Sequence, residues 1–253
     1  GAASDGASGG ARPAGAEADA ACGGPPRSSK DCPSGGDTVG PELSVEDTAW
    51  VDEVYRMLDG TPWIHTHARS SQSPIDKYKY MKDGDPIVSI MGVGTSEGTT
   101  LADFWDCICF EDTEHFCKIM QQTDPMFKSG KVMKVDQYHR LYWGQFTAFP
   151  LCDRDFVWRS LEVQQGTRRI IAVSKSVESD AMPPPGRSVV RGVLSAGYLV
   201  EEAEDGQSCK VVYFCQVDPK GWVPTWIVNW VASDQADNVT RIMNFIRNSK
   251  SQK

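Results

Sequence analysis

The stretch Asp218-Pro219-Lys220-Gly221-Trp222-Val223-Pro224-Thr225-Trp226-Ile227-Val228-Asn229-Trp230 governs the reading of the whole chain. The alternating residues Lys210–Val217 before it read as a strand, which the Pro/Gly turn stops. Pro224 then stands where a first helical turn tolerates proline, since an N–H there has no intrahelical partner. A helix is predicted from Pro224 to Arg247. Its first two turns carry large apolar groups and almost no acids. A helix of that composition must cover apolar surface, belonging either to a packed core or to a cavity.

Upstream of it the chain reads mainly as β-structure. Strands are predicted at 63–68, 75–81, 86–94, 131–138, 140–148, 156–164, 168–177, 188–201 and 210–217. Turn signals at Asp83-Gly84, Gln165-Gly166, Pro183-Pro184-Pro185-Gly186 and Glu204-Asp205-Gly206 separate several of them. Ser44 is a candidate N-cap, with Asp47 behind it, for a helix running to about Leu58. A second helical region covers 101–110 and resumes at 114–122. Helices, a long antiparallel run and a closing helix make an α+β domain over residues 44–250.

Residues 1–41 stand apart. They hold ten of the 23 glycines and five of the 15 prolines, with no aromatic residue and no Leu, Ile or Met. Such a segment cannot bury enough apolar surface to offset its ordering entropy, and it reads as a disordered tail.

The net charge of −8 argues against a general nucleic-acid binder. No run of 18 apolar residues is present. No basic-then-apolar signal segment opens the chain, and an upstream targeting segment is left open. The eight cysteines form no CxxC pair and read as reduced, structural groups of a cytoplasmic protein, with no zinc site. Neither GxSxG nor HExxH occurs, and the four histidines are scattered, so no enzyme is expected; His139 alone falls in a pocket-forming strand region.

Two features of the β region leave room for a cavity. If Tyr198 faces outward, alternation turns Arg191, Val193, Ser195 and Gly197 inward, making a sparse and partly polar face. Trp143 and Gln145 share a face in the same manner. Mixed faces of this kind suit a ligand pocket, and spacing alone equally allows an irregular core. The connection Ser176–Arg187, with Met182 and three prolines, is too long for a tight hairpin and reads as either a lid or a surface loop.

Three motifs carry a family likeness. Asp218 to Asn229, the strand entry Phe149-Pro150-Leu151-Cys152-Asp153-Arg154-Asp155-Phe156-Val157, and Val190-Arg191-Gly192 follow one another as in the START (steroidogenic-acute-regulatory-related lipid transfer) domain. From Ser44 to Asn248 the chain resembles that family, and its middle is most similar to the family's phosphatidylcholine carriers. The resemblance implies a helix-grip fold: a curved antiparallel β-sheet wrapped around a long C-terminal helix, with an internal lipid tunnel.

By position, Asp124, Trp143, Phe156 and Trp158 fall where the carriers hold the headgroup. A quaternary ammonium is well held by a carboxylate and aromatic faces. The carriers' phosphate-binding cation is Met120 here, and two further polar positions are Ser195 and Gly197, with Arg191 as a candidate substitute charge. The expected lipid contacts are completed by Met126, Gln145, Val193, Tyr213, Ile227, Trp230 and Val231. Val177, Met182, Pro183, Pro184, Pro185 and Gly186 form the expected gate loop, while Trp222 and Trp226 suit either packing at the turn or a membrane interface.

The resemblance therefore implies a monomeric cytoplasmic protein, peripheral to membranes, that carries one phospholipid between them. It implies no cofactor and no catalysis. The alternative is a lipid-sensing regulatory module of a larger protein.

Overall fold

A computed structural model describes residues 42–70, 73–83, 87–182, 188–224 and 234–251. The predicted tail 1–41 lies outside the described residues, as do Gly84 of the predicted hairpin, Pro183 to Gly186, and Ile227, Trp230 and Val231 of the closing helix. In chain order the elements are α1 (Val45–Gly60), β1 (Ile64–His67), β2 (Ile75–Met81), β3 (Val88–Glu97), α2 (Leu101–Ile108), α3 (Thr113–Thr123), β4 (Phe127–Lys134), β5 (His139–Phe146), β6 (Asp153–Gln165), β7 (Arg169–Ser176), β8 (Val189–Arg191), β9 (Val193–Glu202), β10 (Ser208–Asp218) and α4 (Asn238–Ser251).

The helix starts are set locally. Ser44 caps α1 by accepting the Asp47 N–H, and Thr100 caps α2 in a reciprocal box with Asp103. Each satisfies N–H groups that the first helical turn leaves without partners.

The strands form one sheet in the order β1-β2-β3-β10-β9-β7-β6-β5-β4, all antiparallel, with β8 paired parallel to the start of β6. The last strand thus lies between the N-terminal strands and the rest. Successive side chains of a strand point to opposite faces, and two cores result. On one face Met91, Leu161, Val173, Val212 and Phe214 pack against Trp50, Val51, Val54 and Leu58 of α1. On the other, Ile90, Ala172, Val211, Tyr213 and Cys215 meet Phe104 of α2 and Val239, Ile242 and Met243 of α4. Phe116 and Ile119 of α3 join Phe127, Val132 and Tyr142 in a third cluster at the β4–β5 end. Burying a Leu, Ile, Val or Phe side chain contributes about 1.5–3 kcal/mol, so these faces carry most of the stability.

α4 is tied at both ends. Lys77 on β2 reaches Asp237, just before the helix, at 2.5 Å, and Lys250 in its last turn reaches Asp103 at 2.6 Å. This is the helix-grip arrangement, a curved antiparallel sheet folded against a C-terminal helix.

Two strand boundaries depart from the sequence reading. β4 covers Phe127–Lys134 rather than 131–138, because the Asp136 carboxylate accepts the N–H groups of Tyr138 and His139 and turns the chain there. The expected strand 188–201 is split at Gly192. A Cβ on Gly192 would lie 2.3 Å from the Phe156 ring and 3.0 Å from the Asp218 carbonyl oxygen, so only glycine lets the chain pass between them.

Candidate functional site

Between the concave face of the sheet and helices α2, α3 and α4 lies a cavity of about 250 Å³. Its walls are mainly apolar side chains, among them Ile90, Phe116, Leu194, Ala196 and Ile242. The aromatic part of the wall is built by strand register. Tyr142 pairs with Trp158 and Gly144 with Phe156 across β5 and β6, which brings these side chains to one face. Tyr142 stacks on Trp158, with ring centroids 5.2 Å apart and planes 6° from parallel, and Phe116 meets both edge-on. Gly144 leaves the space that these rings fill, since a Cβ there would lie 2.9 Å from the Phe146 ring and 3.2 Å from Trp158.

Three polar points interrupt this wall. Asp124, the C-cap of α3, is 4% exposed, and its carboxylate accepts the Met126 N–H at 2.9 Å. Burial raises its pKa, against the pull of that N–H and of Arg241. Beside it the Tyr213 hydroxyl donates to Gln235 at 3.4 Å, and Tyr213 packs on Tyr198 with ring centroids 4.7 Å apart. Further along β6 is Glu162, 3% exposed, which accepts the Tyr142 hydroxyl at 2.6 Å. Burial pushes this carboxyl up to about 7, although the Tyr142 and Ser160 hydroxyls favour the anion.

At one end the wall reaches Phe149, Leu151, Pro219 and Val223. Phe149 is 88% exposed, and Trp222, next to Val223 in the chain, is 79% exposed, an unusual display for large aromatic side chains. Two adjacent residues of β6 brace this end. Arg154 donates to the carbonyls of Pro219 and Lys220, at 3.1 and 3.3 Å, and to that of Cys152. Asp155, fully buried, takes a two-pronged contact from Arg191 at 2.8 Å on each oxygen and the Trp143 indole N–H at 2.8 Å. Arg191 in turn donates to the Met182 carbonyl. One residue therefore holds the turn before the closing helix, and its neighbour holds the connection after β7.

Of the expected contacts, Met120, Asp124, Met126, Phe156, Trp158, Gly197 and Tyr213 lie on the cavity wall. Trp143 and Gln145 do not: the register turns them to the opposite face, where they donate to Asp155 and Asp153. The aromatic side chain in step with Phe156 and Trp158 is Tyr142, one residue earlier. The alternation assumed for β9 is likewise reversed. Leu194, Ala196 and Tyr198 face the cavity, Val193 is exposed, and Ser195 lies between Lys175 and Gln216 on the flanking strands. Gly197 reaches the wall only because it has no side chain.

Arg191 is spent on Asp155 and does not replace the cation missing at Met120. Val177 is half-buried with its N–H on the Val157 carbonyl, and Met182 is buried. Glu162 escaped the sequence reading, although its place in step with Phe156, Trp158 and Ser160 was available as a signal. His139 lies outside the cavity, clamped between Asp47 and Asp136.

A model of the START domain matches residues 118–251, more than half of the chain. The chain belongs to the START domain family. Mouse phosphatidylcholine transfer protein is 27% identical over 127 residues, which are 49% of this chain and 58% of that protein. Mouse START domain-containing protein 10 is 37% identical over 81 residues, 32% of this chain and 27% of that protein. These alignments cover less than two thirds of either relative. Among solved structures, human STARD10 superposes with a TM-score of 0.63 at 19% identity, covering 83% of this chain and 82% of that one. Human StAR-related lipid transfer protein 5 gives 0.63 at 20% identity, covering 82% and 94%. Both likenesses agree with the helix-grip fold of this START domain. Its homologues in the START lipid-transfer family are binding proteins rather than enzymes. No helix among its described residues is long and apolar enough to cross a membrane.

Proposed function

We propose that this START domain binds one phospholipid in the cavity between sheet and helices and carries it between membranes in the cytoplasm, without chemical change. The observation that supports this best is the cavity wall, apolar over most of its length with isolated polar points at Asp124 and Glu162. Each methylene moved from water into such a wall contributes about 0.8 kcal/mol, so acyl chains alone supply most of the affinity. Asp124 with Phe156 and Trp158 is the candidate headgroup end. Met120 puts no cation there, and a broad headgroup range follows.

Exchange takes place at the mouth. Phe149 and Trp222 project from it as amphipathic anchors for a bilayer interface, making a transient contact by a monomer. Purified protein is expected to accelerate movement of phosphatidylcholine and other phospholipids between vesicles, and to retain a mixture of phospholipids from cells by native mass spectrometry. Failure with phosphatidylcholine, phosphatidylethanolamine, phosphatidylserine, phosphatidylinositol and sphingomyelin alike overturns the proposal. Retention of pure phosphatidylcholine overturns only the broad headgroup range.

The paired clamps of Arg154 and Asp155 on the two mouth segments favour a second reading, a slow-exchanging lipid sensor within a larger protein. A release time of hours, with a partner protein that binds only the loaded form, would mark that function.

A further inference from the structure

Among the described residues, one buried oxygen on the cavity wall lacks a hydrogen bond. Glu162 Oε1 accepts the Tyr142 hydroxyl, whereas Glu162 Oε2 is buried and, although the Ser160 hydroxyl lies near the carboxyl, makes no hydrogen bond of normal geometry to any described group. The surroundings hold the carboxyl still. The Tyr142 ring is fixed by its stack on Trp158, and its hydroxyl also accepts the Phe110 N–H at 3.3 Å. The nearby Arg140 gives its terminal nitrogens to Glu111 and to the carbonyls of Asp136, Gln137 and His139, and its buried Nε–H makes no hydrogen bond to Glu162.

A buried carboxyl oxygen left unpaired costs about 1–3 kcal/mol, so the site is built to receive something. An ammonium would satisfy only the anion and an ester carbonyl only the neutral acid. A hydroxyl can both donate and accept, and so pairs with Glu162 Oε2 in either protonation state.

We propose that Glu162, fixed by Tyr142, is a recognition point for a hydroxyl group on an otherwise apolar part of the bound lipid. The inference rests on the reading of the cavity as a lipid site. Position narrows the source. Glu162 is six residues along β6 from Phe156 and four from Trp158, about 20 and 13 Å at some 3.3 Å per residue, and the Tyr142 that it holds stacks on Trp158, so it lies next beyond the candidate headgroup end rather than in it. The hydroxyl belongs either to an acyl chain of a phospholipid whose headgroup sits near Phe156, or to the glycerol of a diacylglycerol that enters the other way round.

The test loads the full chain from dioleoylphosphatidylcholine vesicles doped with matched pairs, followed by repurification and mass spectrometry of the bound lipid. One pair is 1,2-dioleoylglycerol and its 3-O-acetyl ester; the other is 1-palmitoyl-2-ricinoleoyl-phosphatidylcholine and its 2-oleoyl counterpart. The free hydroxyl is expected to be enriched about tenfold in one pair, as one hydrogen bond of about 1.4 kcal/mol provides, and that pair identifies the source. Glu162→Leu should bring the ratio close to one while dioleoylphosphatidylcholine is still retained. Glu162→Gln, whose free atom can only donate, should erode the preference for the hydroxyl over the acetyl ester, and it serves if the leucine variant does not fold. Equal loading of both pairs by the wild type, as trapped water on Glu162 Oε2 would produce, overturns the proposal. So does a preference that survives both substitutions. Absence of dioleoylphosphatidylcholine itself from folded protein overturns lipid carriage as well, and is distinguished by that carrier lipid.

Discussion

Glu162 imposes a pH dependence on stability that can be measured directly. Its carboxyl titrates at about 7 in the folded protein and near 4.5 when unfolded. Between those values the folded state holds the proton that the unfolded state releases, so stability falls as pH rises through this window and the full penalty applies above it. A shift of this size corresponds to about 3 kcal/mol. Glu162→Gln does not titrate. Its melting temperature relative to wild type is therefore expected to rise by roughly 6–12 °C between pH 5 and pH 8. Parallel curves for the two proteins would show that Glu162 is solvated. Asp155 presents the opposite case, a buried carboxylate fully paired. Arg191→Leu leaves it with only the Trp143 indole for compensation and is expected to cost about 3–5 kcal/mol in urea unfolding.

Strand pairing decides which of two neighbouring side chains becomes part of the site. The sequence marks Tyr142-Trp143 as an aromatic pair on a strand, but its parity follows from the partner strand, where Trp158 stands opposite Tyr142. The same holds for β9, where the break at Gly192 separates Arg191 from the alternation that begins at Val193. Boundaries with a local cause were legible: α1 with its Ser44 cap, α2 after Thr100, and β10 ending at the Pro/Gly turn. Features with a cause distant in sequence were not. The parallel pairing of β8 on β6 and the joining of β3 to β10 leave no local trace. Gly192→Ala tests the most crowded of these places. The added methyl would push Phe156 into the cavity, with an expected loss of about 1–3 kcal/mol in stability and reduced capacity for lipid, measured by thermal melting and by bound lipid per protein.

Taken together, the clamps and exposed rings separate holding the lipid from handing it over. Phe149 and Trp222 contribute little to the interior, so Phe149→Ser with Trp222→Ser should leave the melting temperature and the bound lipid unchanged while lowering vesicle-to-vesicle transfer about tenfold or more. An unaltered transfer rate would move membrane contact to another surface.

The place of β10 sets the minimum size of the functional unit. Its nine paired positions with β3 join the matched region 118–251 to strands that precede it. A fragment trimmed to residue 118 would present β10 as an open, apolar edge, and its expected fate is aggregation rather than a smaller lipid carrier. Synthesis on the ribosome meets the same constraint in time. β3 ends at Glu97 and must wait until Ser208–Asp218 has emerged before the sheet can join across its middle. The pocket therefore closes only after Asp218 has emerged, and a first lipid can be enclosed while this domain folds rather than admitted afterwards through the mouth.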